Sequence, residues 1–158
     1  MNIDRRCTAL ALLFTLAACS VAPPAPQVWA PARLSLDAAN DVTLYAISLV
    51  GTPYRYGGNT PTSGFDCSGL IGYVYQARAA IAVPRTVAML DRWGQAVAAD
   101  AVRTGDLVVF AARGVATHAG IYVGDGRFVH APSTGGEVRL DRLDGRYWAT
   151  QKMAFRRP

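Results

Sequence analysis

Hydrophobic and polar positions follow two different periods along the chain. From Asp37 to Val50, apolar residues recur at Val42, Tyr45, Ala46 and Leu49, the three- and four-residue spacing of a helix with one buried side. Asp37 or Asn40 is placed to cap that helix, and Gly51 with Pro53 stops it. A second helical period starts at Cys67, with Leu70, Ile71, Val74 and Ala77 apolar and Asp66 or Ser68 at the capping position. Between them lies a turn-rich loop, Tyr54 to Pro61. After the break Val83-Pro84-Arg85, Thr86 can cap a short helix running to Trp93, which Gly94 ends. Beyond the turn Thr104-Gly105-Asp106 the period changes. Leu107 to Phe110 is a continuous apolar run, the mark of a buried strand. Thr117–Val123 and Arg127–Ala131 read as strands joined through Gly124-Asp125-Gly126, and Glu137–Leu140 and Gln151–Arg156 as two further short strands. Helices first and strands after predict an α+β domain with N-terminal helices packed on a C-terminal antiparallel sheet.

Ahead of residue 37 neither period survives. Arg5 and Arg6 precede an apolar stretch from Ala9 to Ala18, about ten residues, half of the roughly 20 that a membrane-spanning helix needs. Residues 1–18 therefore read as an export signal. Pro23, Pro24, Pro26 and Pro31 among alanines make residues 19–36 a tether, partly polyproline II, with a reach of roughly 50 Å. One folded domain is expected over residues 37–158, a length that holds one core.

Composition narrows the function classes. The formal charge of +5 comes almost entirely from scattered arginines without a run of like charges. A nucleic-acid footprint would cluster them, so no nucleic-acid partner is expected; an anionic polymer such as a bacterial wall remains compatible. Of three cysteines, Cys7 and Cys19 fall in the leader, so only Cys67 belongs to the folded part. That excludes an internal disulfide, and the lack of a paired CxxC excludes a zinc ribbon.

The chemistry gathers at Cys67. At a helix start, unpaired N–H groups and the helix dipole favour the thiolate, the reactive form of cysteine. The chain has two histidines, His118 and His130, close together downstream. A cysteine nucleophile with an imidazole base is one reading. Cys67, His118 and His130 as three zinc ligands with an open fourth position is another.

Five blocks in order resemble the NlpC/P60 peptidases, papain-like cysteine peptidases of bacterial walls: Tyr54-Arg55-Tyr56-Gly57-Gly58, Gly64-Phe65-Asp66-Cys67-Ser68-Gly69-Leu70, Gly105-Asp106-Leu107, His118 to Gly124, and Phe128-Val129-His130-Ala131. The resemblance implies Cys67 as nucleophile, His118 as base, His130 as the group that orients it, and Tyr56 with the Cys67 N–H at the oxyanion site. Asp66 and Ser68 match substrate-binding positions, where a carboxylate can meet the amine of a stem peptide; for Asp66 a helix cap is the equal alternative. Arg85 stands either on the surface or against a substrate carboxylate. No metal and no cofactor are implied. The end Leu16-Ala17-Ala18-Cys19 resembles a lipobox, which implies cleavage before Cys19, a lipid on its sulfur and, with Ser20 following, sorting to the outer membrane. The expected partners are peptidoglycan, outer-membrane lipid and an adaptor lipoprotein, and the expected state is a periplasmic, lipid-anchored monomer. The bond cut is either D-alanine–meso-diaminopimelate or γ-D-glutamate–meso-diaminopimelate. Thr104 stands where the family often has Pro, and Val87, Ala88 and Met89 where it tends to be polar. A catalytically silent wall-binding lipoprotein and an acyl transferase acting on lipids are the remaining alternatives.

For two histidines to act together they must share a face of the hairpin that carries them. A two-residue Asp125-Gly126 loop in a regular ladder pairs Gly124 with Arg127 and sends His118 and His130 to opposite faces. A three-residue loop, Gly124 to Gly126, pairs Val123 with Arg127, sets Gly120 opposite His130 and puts His118 diagonally beside it. The triad therefore predicts the three-residue loop, or a longer one of the same parity, against the Asp-Gly signal for a two-residue turn.

Overall fold

The computed structural model describes residues 34–133 and 136–158. The signal, the tether up to residue 33 and Cys19 lie outside the described residues. Helix α1 spans Leu36–Ser48 and buries Ala39, Val42, Thr43 and Ala46, with Leu49 just past its end. Its cap is Ser35, whose hydroxyl accepts from the Ala38 N–H at 3.2 Å. Asp37 and Asn40 are already helical; Asp37 in the first turn faces the positive end of the dipole instead. Two short strands, β1 (Asn59–Thr60) and β2 (Gly64–Phe65), form a small hairpin that feeds helix α2, Cys67–Ala79. This helix buries Leu70, Ile71, Val74 and Tyr75, while Ala77 is exposed. Tyr75 takes the inner position because its buried hydroxyl has a partner, the Gly105 carbonyl. Helix α3 is one turn, Val87–Leu90, capped by Thr86 as expected but ending before Trp93. Among the described residues no helix is long and apolar enough to cross a membrane.

The main sheet is antiparallel throughout, in the order β3-β8-β4-β5-β6-β7. Its strands are β3 (Gln95–Val97), β4 (Leu107–Ala112), β5 (Val115–Gly124), β6 (Arg127–His130), β7 (Arg139–Arg142) and β8 (Lys152–Arg157). β3 has no apolar alternation and was not legible. β7 lies two residues beyond the expected 137–140; Glu137 makes only an isolated bridge to Pro53. The sheet has two apolar faces. Leu107, Val109, Ala119, Ile121 and Val129 pack with α1 and α2, whereas Val108, Phe110 and Phe128 pack with Trp148 from a short 3₁₀ turn, Trp148–Thr150. Asp106, fully buried at the entry to β4, accepts from Arg157 Nε and Nη2, each at 2.8 Å, and from the Arg103 N–H at 2.9 Å. One strand end is thereby fixed to the last strand of the chain.

The hairpin between β5 and β6 corrects the expected loop. Gly124 pairs with Arg127, so the loop is the two-residue Asp125-Gly126 turn, with both residues at positive φ, 49° and 67°. The register then shifts between Tyr122 and Gly124, and Tyr122 pairs with Phe128 and Ile121 with Val129. The bulge adds the one residue that the turn leaves out, and parity is restored: continued one pair further, the register puts Gly120 opposite His130. His118 and His130 do share a face, by a bulge rather than by a longer loop.

That face has no spare room at Gly120. A Cβ there would lie 2.7 Å from Phe128 Cδ2, 2.8 Å from the Val129 carbonyl oxygen and 3.1 Å from His130 Cβ. Gly120→Ala is expected to destabilise the domain by about 1–3 kcal/mol, since the backbone carbonyl cannot step aside. Urea unfolding checks this; an unchanged midpoint would mean the strand relaxes freely.

Candidate active site

Local geometry at Cys67 starts from close backbone approach. The loop from Tyr56 to Gly58 lies against the first turn of α2, and a Cβ on Gly69 would run into the Gly58 carbonyl. Asp66 closes the end of the helix. Its Oδ1 accepts from the Gly69 N–H at 2.7 Å and Arg85 Nη1 at 2.6 Å, and its Oδ2 from the Gly57 N–H at 2.9 Å and Arg85 Nη2 at 3.1 Å. Arg85 also donates to Ser68 Oγ at 2.5 Å and to the Gly58 carbonyl at 3.1 Å, while the Ser68 hydroxyl donates to the Arg85 carbonyl at 2.8 Å. Burial pushes the Asp66 carboxyl up, but Arg85, the Gly69 amide and Ser68 outweigh it and hold it below the ordinary range. Of its two readings, the cap is thus the one the structure displays. Asp66, Ser68 and Arg85 are brought together, and they are engaged mainly with one another.

Cys67 is partly exposed in a cleft of about 530 Å³. Tyr54 and Tyr56 form one wall, Arg85, Thr86 and Val87 another, and Thr117 of β5 a third. The N–H groups of Ser68, Ala119 and Cys67 itself act on the sulfur and favour the thiolate. Burial, and after it the neighbouring Asp66 charge, act in the opposite sense and prevail, so the thiol is pushed up from its ordinary value. This corrects the expected resting thiolate: the residue that caps the helix places a negative charge next to the sulfur. The Ala119 contact also ties Cys67 to the stretch of β5 that carries His118. There the β4–β5 register shifts, with Phe110 opposite His118 and Ala111 opposite Ala116, which leaves Thr117 unpaired at the cleft wall.

The histidines form a chain on the far face of the sheet. His118 Nε2 lies 2.8 Å from His130 Nδ1, and His130 Nε2 lies 3.0 Å from Asp141 Oδ2 on β7. The same oxygen accepts from Trp148 Nε1 at 2.9 Å and from Arg139 Nε and Nη2 at 3.1 and 2.9 Å. The Trp148 ring stacks on His118, centroids 5.2 Å apart, and stands edge-on to His130. Burial, then His130 and Arg139, bring His118 down to about 3, against Asp141. Burial brings His130 down to about 4, with Asp141 opposing it and Arg139 adding to it. At neutral pH both rings are therefore uncharged.

Tyr56, expected at the oxyanion site, stands on the rim of the cleft and is 94 % exposed. Tyr54 takes the inner place: it is half-buried, and its hydroxyl is raised by burial and then by Cys67 and Asp66. Sequence reasoning missed Tyr54, Asp141, Arg139 and Trp148. Tyr54 had a signal, the same motif two residues earlier. Asp141 had none, because the strand that carries it was placed too early. Among the described residues no group of three or more His, Cys, Asp or Glu is arranged to hold a metal ion. His118 and His130 turn a nitrogen toward each other rather than toward a common centre, which disfavours the zinc reading.

Comparison with known proteins agrees with this geometry. The model of the NlpC/P60 family matches residues 51–157. Murein DD-endopeptidase MepH of Escherichia coli K12 is 40 % identical over 112 residues, 68 % of this chain and 41 % of that protein. Gamma-DL-glutamyl hydrolase of Bacillus subtilis is 38 % identical over 131 residues, 79 % of this chain and 31 % of that protein. The chain thus spans less than half the length of these two relatives. A crystal structure of a NlpC/P60 family protein from Bacillus cereus superimposes with a TM-score of 0.69 at 31 % identity, over 75 % of this chain and 39 % of that one. With the family model covering the sheet, the Cys67 helix and both histidines, this chain belongs to the NlpC/P60 family.

Proposed function

We propose that the protein is a cysteine endopeptidase that hydrolyses peptidoglycan stem or cross-link peptides. The observation that carries the reading is the hydrogen-bond chain behind His118, which uses its Nε2 and leaves Nδ1 as the nitrogen free to take a proton. Cys67 lies at the same stretch of β5 through Ala119. In this reading His118 Nδ1 takes the proton as Cys67 Sγ attacks the scissile carbonyl carbon. The oxyanion rests on the Cys67 N–H, one of the unpaired donors of the first helical turn, and on the Tyr54 hydroxyl in place of Tyr56. His118 then returns the proton to the leaving amine, and a water molecule, deprotonated by His118, hydrolyses the thioester. With the thiol pushed up and the imidazole pushed down, the resting pair is neutral, and the proton moves only when substrate is attacked.

The substrate reading rests on the names of the relatives, a murein DD-endopeptidase and a gamma-DL-glutamyl hydrolase, at nearly equal identity. The cross-link between D-alanine and meso-diaminopimelate is our first choice, because a short tethered domain suits work across neighbouring strands. An extracytoplasmic site of action, a lipid on Cys19, a periplasmic position at the outer membrane and monomeric action belong to the same proposal, supported by the sequence of residues 1–36. An adaptor lipoprotein would regulate access to the wall. Mass spectrometry of the fragments released from purified sacculi and from isolated disaccharide peptides tests the bond.

Cys67→Ala is expected to lower hydrolysis of sacculi by at least ~10³-fold with the fold intact, and His118→Ala nearly as much. His130→Ala should cost less, since water can replace part of an orienting group. Activity of folded Cys67→Ala within tenfold of the wild type would refute the mechanism.

The neutral resting pair has a pH signature. The rate of Cys67 alkylation by iodoacetamide should climb through neutral pH and go on climbing above pH 9, as for a thiol with a raised pKa. A rate that is flat between pH 5 and 8 would instead reveal a preformed thiolate–imidazolium pair.

For the anchor, Cys19→Ser should release the protein from membranes. Intact-mass measurement of the membrane-extracted protein should show residues 1–18 absent and acyl chains present; an unmodified, uncleaved N-terminus would exclude lipidation.

A further inference from the structure

We propose that Asp141 is a positioning residue of this site: it fixes the direction of the His118–His130 hydrogen-bond chain, and it holds on His130 the positive charge that forms when Cys67 gives up its proton. The inference rests on the proposed peptidase reading for its kinetic part only; its structural part concerns the resting rings.

The argument starts from one oxygen. Asp141 Oδ2 receives His130 Nε2, Trp148 Nε1 and two nitrogens of Arg139, all within 3.1 Å. Burial pushes the carboxyl up, but Trp148, His130 and Arg139 outweigh it and hold it below the ordinary range, so it is ionised. An ionised carboxylate only accepts hydrogen bonds. His130 must therefore carry its proton on Nε2, and its bare Nδ1 must accept. The nitrogen 2.8 Å away, His118 Nε2, must then be the N–H. A neutral imidazole has one N–H, so His118 Nδ1 is bare. For neutral rings this is the one arrangement in which every hydrogen bond is made. Without the carboxylate, the opposite direction is equally open to the pair, and it would put a proton on the nitrogen that has to accept one.

The same chain carries charge. When His118 Nδ1 takes the Cys67 proton, the Nε2 proton can cross the 2.8 Å gap to His130 Nδ1. His118 returns to neutral with its N–H on Nδ1, facing the leaving amine. His130 becomes an imidazolium with both nitrogens protonated and Nε2–H still on Asp141. Protonation of the amine by Nδ1 draws the shared proton back, and the rings end as they began. His130 touches the carboxylate and His118 does not, so the charge is better placed on the inner ring. The charged groups that act on the pair are Asp141 and Arg139, both from β7. Arg139 opposes charge on both rings, and its side chain is half exposed. Trp148 holds the ring planes by stacking on one and abutting the other.

Long-range ¹H–¹⁵N spectra of the imidazoles at neutral pH read the direction of the chain without any substrate, so failure of the peptidase reading would leave this test standing. In the wild type both rings should be Nε2–H tautomers. Asp141→Leu, which has a similar shape and no acceptor, should shift both toward mixed tautomers and lower kcat ~10–100-fold, with KM on a soluble cross-linked peptide within twofold. Asp141→Asn keeps an acceptor and loses the charge; it should keep the tautomers, lower the imidazole pKa values and still reduce kcat. Arg139→Gln should raise the imidazole pKa values. Folded Asp141→Leu with both tautomers unchanged and kcat within threefold of the wild type overturns the proposal. Should that variant not fold, a wild-type kcat in Asp141→Asn overturns it equally.

Discussion

Two imidazoles twelve residues apart meet only if the hairpin between them has the right parity, and much of the site depends on that constraint. A tight Asp125-Gly126 turn alone would part them. The bulge between Tyr122 and Gly124 supplies the missing residue, at the end of the hairpin remote from the histidines. From there the consequences run along the sheet. His118, Gly120 and His130 fall on the face that also carries Phe110 and Phe128, so the rings are packed in an aromatic pocket closed by Trp148. The opposite face is left to the aliphatic core under α1 and α2. One irregular residue thus places both imidazoles on the aromatic face of the sheet and leaves the other face to the aliphatic core.

The electrostatics around Cys67 follow from a second economy of residues. Asp66 ends the helix, receives Arg85 and holds the Gly57 amide, and so fixes the loop, the helix and the wall of the cleft with a single carboxylate. The same charge stands beside the sulfur and opposes its ionisation. Arg85 offsets part of that cost by sitting on Asp66, and Ser68 joins the pair from within the helix. Substrate recognition, in the proposed reading, then falls to the tyrosine wall and to Thr86, Val87 and Thr117 more than to this closed cluster.

Much of this was legible in the sequence wherever one side of an element is buried. The stripe Val42, Ala46 and Leu49, the run Leu107 to Phe110, and Leu70, Ile71 and Val74 behind Cys67 all lie in the core as their spacing required. Less was legible where the fold is held by particular bonds. Ser35 rather than Asp37 caps α1, because a cap is decided by which residue leaves the helical conformation first. β3 pairs by backbone alone, and β7 begins two residues late because 137 and 138 are taken up by bonds to the loop around Pro53 and Thr52. The hairpin turn follows the familiar Asp-Gly preference, and the bulge that compensates it has no signature in residue type beyond Gly124. Of the site, the residues on named motifs were legible, while Asp141 and Trp148, which reach it from outside those motifs, were not.

The position of β8 adds a constraint in time. The last strand of the chain is not at an edge of the sheet: it lies between β3 and β4, paired with both. Its Arg157 is also the side-chain counter-charge of the fully buried Asp106. During synthesis from the N-terminus, the segments that carry Cys67, His118 and His130 all emerge before this strand exists. Until Lys152 to Arg157 follows, β4 exposes an open edge, β3 has no neighbour, and the interior site for Asp106 would enclose an uncompensated charge. The native sheet is therefore completed from within, when Lys152 to Arg157 enters between β3 and β4. The strands that carry both histidines thus precede in the chain the strand that pairs along the other side of β4.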